Sequence, residues 1–135
     1  MVVTPFYAAV LALWFLLLTF RVAQERGRTR VLLGDGGDPA LQRAIRGHAN
    51  FAEYVPLALI LLAMLELSRF SLYVIHALGV TLLVARLLHG YAFAFTGEFR
   101  FGRFWGALLT VVVLAIEAVL CLYQAWRGHL VWFAP

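Results

Sequence analysis

Four stretches of this chain are apolar over lengths that match a lipid bilayer, and this constrains the fold more than any other feature. A hydrocarbon core of about 30 Å takes about 20 helical residues. Residues 2–20 and 70–85 carry no charge, and residues 104–126 are interrupted only by Glu117. The remaining stretch, 54–65, is too short by itself, so its helix must draw Asn50 and Glu53 into or beside the bilayer. A soluble domain is a poor alternative: 64% of the 135 residues are hydrophobic and 13% are charged, against about a quarter charged in soluble domains. Lipid forces each span to satisfy its own backbone. The fold class predicted is therefore all-α. A single domain over 1–135 would form a bundle of four transmembrane helices, covering about 2–28, 39–67, 70–95 and 103–127.

The charges set the expected topology. All 11 basic residues are arginine, and with 7 acidic residues they leave a net charge of +4. Arg21, Arg26, Arg28, Arg30, Arg43, Arg46, Arg100 and Arg103 fall at one end of such a bundle, and only Arg69 and Arg127 at the other. The rich end is expected in the cytoplasm, with both termini outside it. No basic segment precedes the first apolar run and no small-residue cleavage site follows it, so it reads as a retained helix and not a signal peptide. The arginines flank apolar runs and build no basic domain, which argues against nucleic acid as a partner. Cys121 is the lone cysteine, so no intrachain disulfide can form, and its place in an apolar run fits a packing role.

The connectors carry ordinary turn chemistry. Gly34, Asp35, Gly36 and Gly37 form a turn by composition; no strand precedes them and no Gly-Lys-Ser/Thr follows, which excludes a phosphate-cradling loop. Asp38 and Pro39 have the N-cap and first-position preferences of a helix start. Pro56 falls inside the second helix and should kink it unless neighbours satisfy the freed carbonyl. Ser68 and Arg69 make a tight turn, and residues 96–102 a short loop. Tyr123, Trp126 and Trp132 suit the far interface.

Polar residues within the spans carry the functional signal, because a charge in hydrocarbon costs about 2.5–3.5 kcal/mol. Arg46, Asn50 and Glu53 are spaced i, i+4, i+7 and share one helix face; Arg86 and His89, spaced i, i+3, share a face on the third helix. Both stripes lie toward the cytoplasmic end and could meet across a helix pair or a subunit boundary. Arg46 and Arg86 could each take a carboxylate, Glu53 an amine, and Asn50 a peptide amide. A peptide-like molecule with two carboxylates and one ammonium would suit such a cavity, and glutathione fits that description. The competing reading is structural: Glu53 and Arg86 pair to join the second and third helices. His48 is expected at the interface, His76 in a hydrogen bond to a neighbouring helix, Glu117 facing the bundle or a subunit boundary, and Glu66 solvated near the outer surface. The histidines are too scattered for a metal site.

The segment from Arg46 through Asn50, Glu53 and Tyr54 to Pro56 resembles the signature of the MAPEG family, the membrane-associated proteins in eicosanoid and glutathione metabolism. The run from Ala85 and Arg86 to His89 and Tyr91 resembles the matching third-helix segment. Length and layout agree over nearly the whole chain, most nearly with a small bacterial inner-membrane branch.

The resemblance implies a homotrimer in the lipid bilayer, with glutathione bound as cosubstrate between subunits near the cytoplasmic side. It assigns glutathione binding to Arg46, Asn50, Glu53 and Tyr54 from the second helix and to Arg86, His89 and Tyr91 from the third. An arginine at the start of the fourth helix, Arg100 or Arg103, would stabilise the glutathione thiolate. A thiol of pKa about 8.5 needs such a neighbour to ionise near neutral pH. The implied activity is that of a glutathione transferase or peroxidase acting on hydrophobic electrophiles or lipid peroxides. Two positions depart from the catalytic pattern: Phe93 stands where several catalytic members have tyrosine, and Ala49 where some have arginine. The family also has a non-enzymatic lipid-binding member, so the alternative is a non-catalytic membrane scaffold or lipid-binding protein.

Overall fold

The chain forms four helices joined by short connectors, α1 (Val3–Thr29), α2 (Pro39–Leu67), α3 (Leu72–Tyr91) and α4 (Arg100–Trp132). These come from a computed structural model that describes residues 1–132, with side chains to Gly128. The ring of Trp132, expected at the far interface, lies outside the described side chains. Each helix is long and apolar enough to cross a membrane, and the chain is a multi-pass, all-helical membrane protein.

The helix ends follow from local chemistry. Asp38 caps α2 by accepting the N–H groups of Ala40 at 3.0 Å and Leu41 at 2.8 Å, with Pro39 as the first helical residue. At the other end Arg69 takes a left-handed conformation, φ 54°. Its N–H bonds the carbonyl of Glu66 at 3.0 Å, and the N–H of Phe70 bonds that of Leu65 at 3.1 Å. This is a Schellman closure with arginine where glycine is usual. Pro56 is accommodated inside α2, which runs unbroken through it.

The third loop is shorter than the sequence predicts. The α-helix of α3 ends at Tyr91, and a π-helical turn, Ala92–Thr96, carries the chain to Gly97, φ 68°. Arg100 already belongs to α4, because the N–H of Arg103 bonds the carbonyl of Phe99 at 3.3 Å and opens the helix there.

A second correction concerns Glu66, expected in solvent. It is buried, and its carboxylate accepts the N–H groups of Val2, of Val3 at 2.9 Å and of Thr4 at 2.7 Å. The last turn of α2 thereby caps the first turn of α1, whose N-terminal amides would otherwise lack partners.

The core between the helices is apolar and closely packed. Leu11, Leu62, Leu65, Ile75, Leu82 and Val113 have no exposed surface. Small residues set the helix spacing, as in membrane bundles generally. A Cβ at Gly79 would fall 2.4 Å from the Tyr7 ring, and one at Gly106 would fall 2.7 Å from both the Ala85 carbonyl oxygen and the His89 Cβ. Gly106 thus lets α4 ride directly on the turn of α3 that carries Arg86 and His89.

Candidate functional site

Arg86 is the centre of the polar cluster. It is 1% exposed, deep between α2, α3 and α4. Its Nη2 donates to Asn50 Oδ1 at 2.9 Å and lies 3.4 Å from His89 Nδ1; its Nη1 donates to Thr110 Oγ1 at 3.3 Å. The guanidinium lies 5.5 Å from the centroid of the Phe51 ring. Thr110 in turn donates to the Gly106 carbonyl at 2.7 Å, which fixes its oxygen as an acceptor for Arg86. The remaining guanidinium nitrogen, Nε, is buried without a partner. No carboxylate neutralises Arg86 among the described residues.

The Glu53–Arg86 pair of the competing structural reading is absent among the described residues. Glu53 and Arg46 are both exposed, and neither makes an ion pair among the described residues. Of the second-helix stripe, Asn50 alone reaches Arg86. Tyr54 joins Asn50, Arg86 and Thr110 around a cavity of about 50 Å³.

A wider groove of about 490 Å³ adjoins that cavity. Its lining includes His89, Phe93, Arg100 and Arg103, and Ala107 borders both spaces. Arg103 sits over the Phe93 ring, 4.7 Å from its centroid. On α4, Arg103, Ala107 and Thr110 are spaced i, i+4, i+7, so one helix face runs from Arg103 to the atoms holding Arg86. His89 is buried, with its ring 4.8 Å from that of Phe93. Tyr91 is half-exposed, stacks on Phe95 with centroids 5.7 Å apart, and lines neither space.

Sequence reasoning passed over Thr110. A lone threonine in an apolar run is easily read as a tolerated helix residue; its spacing seven after Arg103 was the available signal. The other polar residues have structural partners. His76 Nδ1 lies 3.1 Å from the Tyr7 hydroxyl, joining α3 to α1. His48 Nε2 lies 3.1 Å from Thr19 Oγ1 with its ring stacked on Phe15. Glu117 is fully buried, and neither carboxyl oxygen has a partner among the described residues. No cluster of three metal-ligating side chains occurs among the described residues.

The connector at this end is tied down by charge. Glu25 is buried and pairs with Arg21 and Arg28, each at 2.7 Å. Arg28 also pairs with Asp38 at 2.8 Å, bridging the end of α1 to the start of α2. Arg21 donates to the Ala94 carbonyl at 3.0 Å, which anchors the π-helical turn to α1. Hydrogen bonding to Arg28, and then to the Leu41 amide, holds the Asp38 carboxyl below its ordinary pKa.

Comparison with known proteins agrees with this layout. Two Escherichia coli proteins, from strain K12 and from O6:H1, both called inner membrane protein YecN, are each 38% identical to this chain over 116 residues, covering 82% of it and 88% of the relative. The MAPEG family model matches residues 4–123. That match reaches into all four helices and contains every residue of the Arg86 cluster, and the chain belongs to the MAPEG family.

Proposed function

We propose that this protein binds glutathione at a subunit boundary of a homotrimer in the bacterial inner membrane and delivers its thiol to hydrophobic electrophiles or lipid peroxides. The observation that carries the reading is Arg86: a fully buried guanidinium with no carboxylate partner and one unbonded nitrogen among the described residues, beside a cavity. An uncompensated buried cation is strongly destabilising, so an anionic guest offsets an existing penalty. Glutathione carries two carboxylates. A boundary location accounts for Arg46 and Glu53, which stand exposed on a membrane helix and gain partners only from a ligand or a second copy. A cavity of about 50 Å³ also holds no tripeptide by itself; the adjoining groove and a second chain complete the volume.

In this reading Arg46, Asn50, Glu53, Tyr54, Arg86 and His89 hold the tripeptide, and Tyr91, which lines neither space, reaches it only across the subunit boundary. Arg103, with Arg100 behind it, faces the thiol and favours the thiolate by its charge. With a chlorinated nitrobenzene the thiolate sulfur forms a bond to the ring carbon, chloride leaves with the electron pair of the broken bond, and the thiol proton passes to solvent. The arginine-rich end faces the cytoplasm, where the cosubstrate would enter, and the termini lie outside. The test is conjugation of that nitrobenzene to glutathione by the purified protein in detergent. Saturable turnover that falls when Arg100 and Arg103 are both replaced by alanine supports the assignment; an unchanged rate removes it.

The scaffold reading rests on one observation of its own: Asn50, Thr110 and His89 already occupy much of Arg86. On that reading Arg46 and Glu53 pair between subunits. Isothermal titration with glutathione separates the two, since a scaffold gives no saturable heat.

A further inference from the structure

The far end of the bundle holds a second basic groove, which the glutathione reading does not use. Between the last turns of α2 and α4 lies a space of about 620 Å³, lined among others by Met64, Leu65, Ser68, Arg69, Gln124 and Arg127. Among the described residues no carboxylate lines it. Glu66, the nearest acid in sequence, is turned away and spent on the first amides of α1. The geometry points to a binding site for the phosphate of an anionic phospholipid in the leaflet at this end.

Three features favour a lipid over a soluble anion. The groove is two-sided: Arg69 and Arg127 supply charge, while the exposed Met64 opens it onto the apolar run of α2, where an acyl chain would lie. Its depth matches the headgroup region, because Tyr123 and Trp126 stand exposed on the same helix end, as interfacial aromatics do. Its floor is fixed, since Gln124 donates to the Ser68 carbonyl at 3.4 Å and the Cys121 thiol reaches the Leu61 carbonyl at 3.7 Å.

Arg69 adds a further indication. Its φ of 54° is a conformation that glycine adopts at no steric cost. The turn therefore does not account for an arginine, and a phosphate facing the guanidinium does. Arg127 lies 5.7 Å from the Tyr123 ring centroid. It makes no ion pair among the described residues.

The experiment is native mass spectrometry of the full-length protein after exchange into detergent with phosphatidylglycerol or phosphatidylcholine of matched acyl chains. Phosphatidylglycerol should be retained over phosphatidylcholine by about thirtyfold, the scale expected of two interfacial arginines. Arg69→Gly with Arg127→Ala should erase that preference, and Arg127→Lys should keep most of it. Arg127→Ala alone, at an exposed side chain, reads the same effect at reduced size if the double variant does not fold. Equal retention of both lipids by the unaltered protein, or an undiminished preference in the arginine variants, overturns the proposal. Displacement by soluble glycerol phosphate as effective as by the lipid overturns the lipid source and leaves a site for a free phosphate.

Discussion

Arg86 donates to Asn50 at 2.9 Å across the boundary between α3 and α2, so the polar stripes of two separate helices are joined by one hydrogen bond. Removing Asn50 leaves a buried cationic donor unsatisfied, and Asn50→Ala should lower stability by about 1–3 kcal/mol, read as a lower thermal midpoint in detergent. Asn50→Asp is the more informative variant. It should keep or raise that midpoint by pairing with the guanidinium, yet weaken glutathione binding, because the new carboxylate occupies the charge the ligand needs. Tighter glutathione binding to Asn50→Asp would count against Arg86 as the anion site.

Arg103 and Arg100 border the same groove, but they are not equivalent. Arg103 is one turn further along α4, on the face that continues through Ala107 to Thr110 and so to Arg86. Arg103→Ala should slow glutathione conjugation about tenfold or more near neutral pH, and Arg100→Ala less. If thiolate stabilisation is the cause, the pH–rate profile of Arg103→Ala should shift upward, and its rate should recover at alkaline pH. A uniform loss at all pH values would assign Arg103 to packing against Phe93.

Glu66 holds the start of α1 through the amides of Val2, Val3 and Thr4. Glu66→Ala should cost about 1–2 kcal/mol, the scale of a lost cap with a charge at a helix N-terminus. Glu66→Gln should cost less, since an amide oxygen still accepts. Hydrogen exchange at the amides of Val3 and Thr4 is the direct measurement; equal protection in the alanine variant would show the cap to be dispensable.

How much of this was legible depends on the range of the interaction. The four spans, the Asp38 cap and the shared face of Arg46, Asn50 and Glu53 follow from spacing within a single helix, so the sequence displays them. Glu66 was misplaced because its partners lie 62 or more residues away, and nothing near it marks the start of α1 as a neighbour. Thr110 was missed for the same reason: only the approach of α4 to α3 at Gly106 brings it to Arg86. The exposure of Arg46 and Glu53 is the converse case. Their spacing is local and so displayed by the sequence, but their lack of an ion-pair partner among the described residues depends on how the other helices pack.

Asp38 gives a pH dependence whose sign is fixed. Bonding to Arg28 and to the Leu41 amide lowers its folded-state pKa below the ordinary value of 3.8. Its contribution to the α1–α2 connector is therefore complete above that value and is lost as pH falls through the lower, folded-state pKa. Amide exchange at Ala40 and Leu41 should quicken in that acid window. In Asp38→Asn, which can still cap but cannot titrate, the step should vanish. A step that survives in Asp38→Asn would belong to another carboxylate.

Glu117 presents the opposite problem, a carboxyl group with no exposed surface and neither oxygen bonded. Burying a polar group without a hydrogen bond costs about 1–3 kcal/mol on mutational scales, and an apolar side chain of similar volume escapes that penalty. If the bundle itself is all that surrounds Glu117, then Glu117→Leu should raise the thermal midpoint in detergent and leave glutathione conjugation at the other site unchanged. A lower midpoint would mean that the carboxyl meets a partner inside the bundle, such as an internal water. Glu117→Gln tests this: the amide can still bond a water, so its midpoint should stay near that of the unaltered protein, whereas a fall as large as that of Glu117→Leu would show that the carboxyl group itself is required.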